Sequence, residues 1–324
     1  MRRLIFIVSL FLFVYGVVLN IQTIESQTYP THPIQLVLVA GPGDASDLTA
    51  RLLIEELNKT LNVPVIPLNK PGAAATLATD FVAKSKKDGY TLLYGNTSGT
   101  VYAKASNPEV VPYDPVKDLE PLGLHVFFPD VISVQAEAPW KNFSEVIDYA
   151  LKNPGKFRCG TMGIGSIGHF RLEIIKSLTG ADITMVPFKG TSPIVTALLG
   201  GHIEAAFVSV PMCSPHFKAG KLRGLLVDQK VAEFPNIPTL PQLGYNRDLP
   251  SAWFGLFAPA GVSEEVKRVL IPAIEKAIKN PELGAKIQKI GYIPQYKSPS
   301  ELKKLMIRDY EEARSIAIKI GLSK

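Results

Sequence analysis

The sequence predicts an α/β protein of two domains, each a mostly parallel sheet flanked by helices, and three observations carry that prediction. Short β-branched apolar runs alternate with segments of helical period, the order that gives parallel strands joined by crossover helices. The runs end again and again in Gly, Pro, Ser, Thr or Asp, so each half of the chain turns polar loops toward one sheet edge. The 324 residues are 46% hydrophobic, enough for two ordinary cores.

Residues 1–27 stand apart from that fold. Met1-Arg2-Arg3 precedes an apolar run from Leu4 to Val18 broken only by Ser9 and Gly16, the pattern of a secretory signal. Cleavage is expected near Ser26 or Gln27. No A-x-A triplet marks the site, and the run stretched to Ile21 reaches borderline spanning length, so an uncleaved anchor is the alternative. Losing Arg2, Arg3 and Glu25 lowers the formal net charge only from +6 to +5. The basic residues are scattered, which favours encounter with small anions and leaves no nucleic-acid footprint. Cys159 and Cys213 are the only cysteines, so this is no disulfide scaffold, and spacing leaves open whether they approach. His32, His125, His169, His202 and His216 are dispersed without metal-ligand spacing, and no cofactor is expected.

Ile34 to Ala40 opens the first domain as an apolar strand. Gly41-Pro42-Gly43-Asp44-Ala45-Ser46-Asp47 is the tight loop after it, and Leu48 to Leu61 follows as a helix with Leu48, Leu52, Ile54, Leu57 and Leu61 in register. The first amides of that helix lack intrahelical acceptors and lie at the positive end of its dipole, so a carboxylate is the natural guest. Capping of those amides by Ser46 or Asp47 is the structural alternative. Val63 to Ile66 is a second strand, Asn69-Lys70-Pro71-Gly72 a turn, and Ala73 to Ala83 a small-residue helix. After the Asp88-Gly89 turn, Tyr90 to Tyr94 is a third strand ending in Gly95-Asn96-Thr97-Ser98-Gly99, a loop rich in hydroxyls.

Prolines and the Tyr113-Asp114-Pro115 turn between Asn107 and Asp130 mark the passage into the second domain. Ser144 starts a helix to Leu151, and Phe157 to Gly160 is a strand. Gly163-Ile164-Gly165-Ser166-Ile167-Gly168-His169 then opens a helix with Phe170, Ile174, Ile175 and Leu178 on its apolar side and Gly180 as its stop. Ile183 to Phe188 is a strand running into Lys189-Gly190-Thr191-Ser192, and Ile203 to Val210 and Leu222 to Asp228 are further strands. Trp253 to Pro259 reads as the return strand into the first domain. A helix capped by Ser263 and kinked at Pro272 follows, and the Ser298-Pro299-Ser300-Glu301 capping box begins a terminal helix toward Ile320. The expected domains are therefore 28–127 with 251–324, and 128–250.

The Gly163–His169 segment fails as a dinucleotide fingerprint, because Ser166 stands where a close-packing glycine is wanted and no acidic residue ends a strand about 20 residues on. Adjacent Gly165 and Ser166 also break the G-x-S-x-G nucleophile elbow. Ser166 and His169 fall one helical turn apart, which leaves a hydrolase pair as an alternative, yet no third group to orient the base is evident. The chain is therefore expected not to be an enzyme. His169 reads as a cap-contacting imidazole or as a ligand contact.

Several short motifs in order carry a resemblance across the whole mature chain: Tyr29-Pro30 with Pro33-Ile34, Pro42-Gly43 with Asp47 and Ala50-Arg51, and Asn69-Lys70-Pro71-Gly72-Ala73. Asp88 to Leu93, Tyr113 to Asp118, Gly163 to Ser166 with His169, and Val186 to Gly190 continue it. Leu199-Gly200-Gly201, Ala219 to Leu222 and Trp253-Phe254-Gly255 through Ala258-Pro259-Ala260-Gly261 complete it. In this order and spacing they resemble the extracytoplasmic solute receptors of the tripartite tricarboxylate transporter family, also called Bug receptors.

The resemblance implies a two-domain periplasmic-binding-protein fold, type II-like, whose chain crosses between domains twice and closes as a Venus flytrap on one ligand. It implies a periplasmic receptor, taken to be a monomer, that hands an organic acid or amino acid to membrane permease subunits. A sensor docking onto a membrane kinase is the alternative. The ligand carboxylate would lie between Gly43, Asp44, Ala45, Ser46 and Asp47 on one side and Gly163, Gly165, Ser166 and His169 on the other. Thr97, Ser98, Gly190 and Thr191 would line the same cleft, and Ser209 stands where many relatives carry Asp. Two departures matter: Asp44 replaces the second glycine of the usual Pro-Gly-Gly, and Ala74 and Ala75 replace further glycines. Asp44 is expected to pair with an amino or amide group of the ligand, a solvated loop residue or a cap being the alternative; unit charges about 4 Å apart interact by about 4 kcal/mol at an effective dielectric of about 20, enough to bias ligand choice either way.

Overall fold

The computed structural model describes residues 29–319 and 321–323, so the expected signal or anchor lies outside the described residues. Strand β1 (Ile34–Leu38) buries Ile34, Leu36, Val37 and Leu38 completely and forms the centre of the first core. Helix α1 (Ala45–Leu61) begins three residues before the expected Leu48, because Gly43 turns the chain at φ +78° and Asp44 takes the extended N-cap conformation. Ala50, Leu53, Leu57 and Leu61 pack inward, whereas Leu48 is 41% exposed and belongs to the surface rather than the core.

Strands β2 (Val65–Asn69) and β3 (Thr91–Asn96) pair in parallel on the two sides of β1. Between them, α2 (Thr76–Ala83) starts later than the expected Ala73. Ala73, Ala74 and Ala75 hold φ of 47°, 52° and 73°, left-handed backbone in which an L-side chain crowds its own carbonyl. After β3 a π-type turn, Ser98–Tyr102, runs into the short α3 (Ala103–Ser106).

Strand β4 (Leu119–Phe128) carries the chain to Pro129 and directly into β5 (Asp130–Gln135) of the other sheet. There follow α4 (Phe143–Lys152), β6 (Phe157–Thr161), α5 (Ile167–Thr179), β7 (Ile183–Pro187), α6 (Thr191–Leu199), β8 (Ala205–Ser209), α7 (Val210–Lys218) and β9 (Leu222–Val227). Helix α6 starts inside the expected Lys189-Gly190-Thr191-Ser192 loop, and α7 fills a span between expected strands for which no element was predicted. The chain returns on β10 (Ala252–Pro259) and ends with α8 (Glu264–Ile278), α9 (Pro281–Lys289), β11 (Ile293–Lys297) and α10 (Pro299–Lys319). The Ser298 capping box forms as expected, with the Ser298 amide donating to Glu301 Oε2 at 2.8 Å.

The sheets run β11-β4-β10-β3-β1-β2 and β7-β6-β8-β5-β9; with their helices they make lobe one and lobe two. The two-domain α/β architecture is the one expected, but both sheets are mixed rather than mostly parallel. Strands joined through helices pair in parallel, as β1 does with β2 and β3 and β6 does with β7 and β8. The strands entering from the opposite lobe pair antiparallel, β10 with β3 and β4, and β5 with β8 and β9. A strand arriving without a crossover helix is free to run either way. Cys159 on β6 and Cys213 on α7 are both buried and free.

The left-handed alanines give a stability prediction. Ala73 is exposed, so Ala73→Gly removes crowding without emptying a core site. After the extra chain entropy of glycine, about 0.5–1 kcal/mol of stabilisation is expected, read as a higher urea midpoint at unchanged m-value.

Candidate ligand-binding cleft

The carboxyl ends of β1, β3, β6 and β8 meet across the space between the lobes, where a cavity of about 40 Å³ remains. Ser46, Asn96, Thr97 and Ser98 of lobe one and Asp130, Ser166, Thr191 and Ser209 of lobe two form its polar wall, Asp130 being the carboxylate bound by Arg171. Val39, Phe128, Met162, Phe207 and Phe254 form the apolar one. Phe128 and Phe254, one beside each crossing, stack at 4.7 Å between ring centres.

Helix α1 points its N-terminus at this cavity and no side chain caps it. Asp47, a candidate cap, is otherwise engaged: Oδ2 accepts from the Gly43 amide at 3.0 Å and Arg51 Nε at 2.9 Å, and Oδ1 accepts from Asn69 Nδ2 at 3.0 Å. Against partial burial, which would raise it, the hydrogen bonds from Arg51, Gly43 and Asn69 hold the Asp47 carboxyl below its ordinary range. The loop is thus tied down by Asp47 while the first amides of α1 stay open. Beneath it, Thr49 Oγ1 donates to the Ala45 carbonyl at 2.8 Å and the Tyr94 hydroxyl donates to Thr49 at 3.0 Å. His125 Nδ1 lies 2.7 Å from that hydroxyl, and complete burial pushes the imidazole down to about 3, so it supports the turn as a neutral group.

Three hydroxyls give the cavity its character. Ser46 Oγ, Thr97 Oγ1 and Ser209 Oγ have no hydrogen-bond partner, and each residue is 1% exposed. Ser209 stands at the capping position of α7 and makes no cap bond. Native interiors rarely leave such groups unpaired, because each costs about 1–3 kcal/mol.

The N-termini of α5 and α6 in lobe two are closed instead of open. Ser166 caps α5 by accepting the His169 amide at 3.2 Å, and the Ile167 amide donates across the cleft to Ser98 Oγ at 3.1 Å. The first turn of α6 is held by Asp44, whose Oδ1 accepts from Thr191 Oγ1 at 2.7 Å, the Ser192 amide at 2.6 Å and Ser192 Oγ at 2.8 Å. Two facing open nests were expected; the open nest of α1 faces α5, filled by Ser166 and Ser98, and α6, filled by Asp44.

Of the expected ligand contacts, Ala45, Ser46, Thr97, Ser98, Ser166, Thr191 and Ser209 line the cavity. Gly43, Asp44, Asp47, Gly163, Gly165, His169 and Gly190 shape the loops behind that lining. Asp44 spends Oδ1 on α6, in place of the ligand amino group anticipated for it. His169 accepts the Gly165 amide on Nδ1 at 3.2 Å, and burial lowers its affinity for a proton. Ser166 and His169 meet through the His169 backbone amide, so the imidazole is placed as a loop fastener and not as a base for Ser166.

One central group carries no sequence motif. Arg171 of α5 is fully buried and donates to Asp130 at the outgoing crossing, to Asp228 Oδ2 at 2.5 Å beyond β9, and through Nε to the Pro250 carbonyl at 2.9 Å before β10. It ties both crossings to one helix. A lone arginine between Phe170 and Leu172 was the only sequence signal for it.

A cavity with an open helix N-terminus, between two lobes joined by paired crossings, is the arrangement of a solute-binding protein. The chain belongs to a family described as "Tripartite tricarboxylate transporter family receptor", which it matches over residues 49–322. Over 305 residues it is 30% identical to Protein BugT of Bordetella pertussis, covering 94% of this chain and 93% of that protein. Among solved structures it resembles "R. palustris Rpa4515 with adipate", with a TM-score of 0.82, 27% identity and coverage of 90% and 98%. It likewise resembles "MatC (Rpa3494) from Rhodopseudomonas palustris with bound malate", with a TM-score of 0.83, 26% identity and coverage of 89% and 100%. Family and fold agree with the expectation drawn from the motifs.

The arginine cluster predicts how stability changes with pH. Burial raises Asp130 and pushes Asp228 up to about 7 in spite of the Arg171 charge, so the folded protein holds a proton that the unfolded chain releases above about pH 4. Stability is therefore expected to fall as pH rises from about 4 through about 7. Asp228→Asn should flatten that slope, as read from unfolding midpoints at pH 5, 6, 7 and 8.

Proposed function

We propose that this chain is an extracytoplasmic receptor that seats the carboxylate of a small metabolite on the α1 N-terminus, closes its lobes over it, and delivers it to membrane permease subunits. The observation that carries this reading is the convergence of unpartnered Ser46, Thr97 and Ser209 hydroxyls on one cavity at an uncapped helix. A carboxylate there would meet the open amides of the first turn and hydroxyl donors from both lobes. Its hydrocarbon part would rest on Phe128, Phe207 and Phe254. Adipate and malate, the ligands named for two similar structures, are both carboxylates. We take the lobes to be 28–127 with 251–324, and 128–250, moving about the crossings that Arg171 ties together. A periplasmic location and a monomeric state complete the proposal.

Thr97→Val tests the site without emptying it. In the ligand-free protein the unfolding temperature should stay level or rise, since a buried unpaired hydroxyl is removed. Affinity for the best carboxylate in a calorimetric panel should fall about tenfold or more, the worth of one hydrogen bond to a charged group. A cleft that binds no carboxylate in that panel while remaining folded would defeat the reading.

A further inference from the structure

Helix α6 has nine residues and begins at Gly190, which provides no side-chain cap, and Thr191 of its first turn lines the cavity. In a cleft built on carboxylate recognition this is the second place where a ligand anion would be welcome. The place is taken. Asp44 reaches over from the other lobe, 3% exposed, with Oδ1 accepting from the Thr191 hydroxyl and from the amide and hydroxyl of Ser192. Gly190 makes the approach possible, because a Cβ at that position would collide with the Asp44 carboxylate. Among the described residues no Lys, Arg or His forms an ion pair with Asp44, so its charge is balanced by helix dipole and hydroxyl donors alone.

Resting on the carboxylate-receptor reading, we propose that Asp44 is a specificity-determining residue: a tethered carboxylate occupying the α6 anion position, so that the cleft takes monocarboxylates and rejects dicarboxylates. A diacid seated on α1 would bring its far carboxylate toward Thr191, where it would find the donors occupied and a like charge behind them. A monoacid meets no such opposition, and its uncharged end fits the phenylalanine wall. The departure from glycine at position 44 thereby narrows the ligand class by repulsion, without adding an attractive contact.

The test is calorimetry on the full chain with acids of matched length: butanoate and hexanoate against succinate and adipate. Wild type is expected to bind its better monoacid at least tenfold more tightly than the diacid of equal length. In Asp44→Gly that ratio should shrink by tenfold or more as α6 opens. Asp44→Asn, which keeps the shape and an acceptor oxygen while removing the charge, should move the ratio the same way, with circular dichroism confirming that each variant is folded. Tighter binding of the diacids by wild type overturns the inference and leaves the receptor reading standing, as does a ratio unchanged in both folded variants. Binding of neither class by folded wild type overturns both.

Discussion

The N-termini of α1, α5 and α6 converge on one cleft, and their unpaired amides are the constraint from which the rest of the site follows. An N–H removed from water must find an acceptor, and each of the three finds it in a different way. Helix α5 takes Ser166 from its own loop and Ser98 from across the cleft. Helix α6 takes Asp44. Helix α1 takes neither Asp47, which is committed to Gly43, Arg51 and Asn69, nor any other side chain. What remains open is thus not an accident of a flexible loop. Of these three it is the N-terminus whose neighbours have been fastened elsewhere, and unpaired hydroxyls line the cavity it faces.

The crossings meet the same demand with charge. Arg171 is fully buried, and an isolated buried guanidinium would be prohibitive, so it draws the Asp130 carboxylate at the outgoing crossing, the Asp228 carboxylate after β9 and the Pro250 carbonyl at the return. Two acids on one base leave a surplus negative charge in a dry place, which is why burial lifts both carboxyls rather than ionising them fully. Breaking one partner would strand the others, so the network pins both crossings to α5 more than it adds stability.

Much of the fold was legible because it rests on local signals. Alternation of apolar runs with helical period located β1, α1 and α5, and the capping box located the start of α10 to the residue. Helices α6 and α7 escaped because each has only nine residues and opens among Gly, Pro and Ser, which read as loop. The mixed pairing was hidden as well, since strand direction is set by where the chain crosses and not by the strand's own residues. At the site, the hydroxyl-bearing loops were readable from their chemistry. The partners of Asp44 were not, for Thr191 lies 147 residues away in the chain and in the other lobe.

Bonds across the cleft also bear on how such a receptor rests. The Asp44 and Ser98 contacts join lobe one to lobe two with only the protein's own atoms, so they favour closure before any ligand arrives. Hydrogen bonds to a charged group each net about 1.5–3 kcal/mol and neutral ones about 0.5–1.5, enough in sum to compete with the entropy of an open hinge. A ligand entering from solvent needs the open form, and its apparent affinity falls by the fraction of molecules that are open. The unpaired hydroxyls work in the opposite direction, because closing without a ligand buries them unsatisfied. The balance between these two sets of polar atoms, one complete without ligand and one incomplete, determines how far the ligand controls closure.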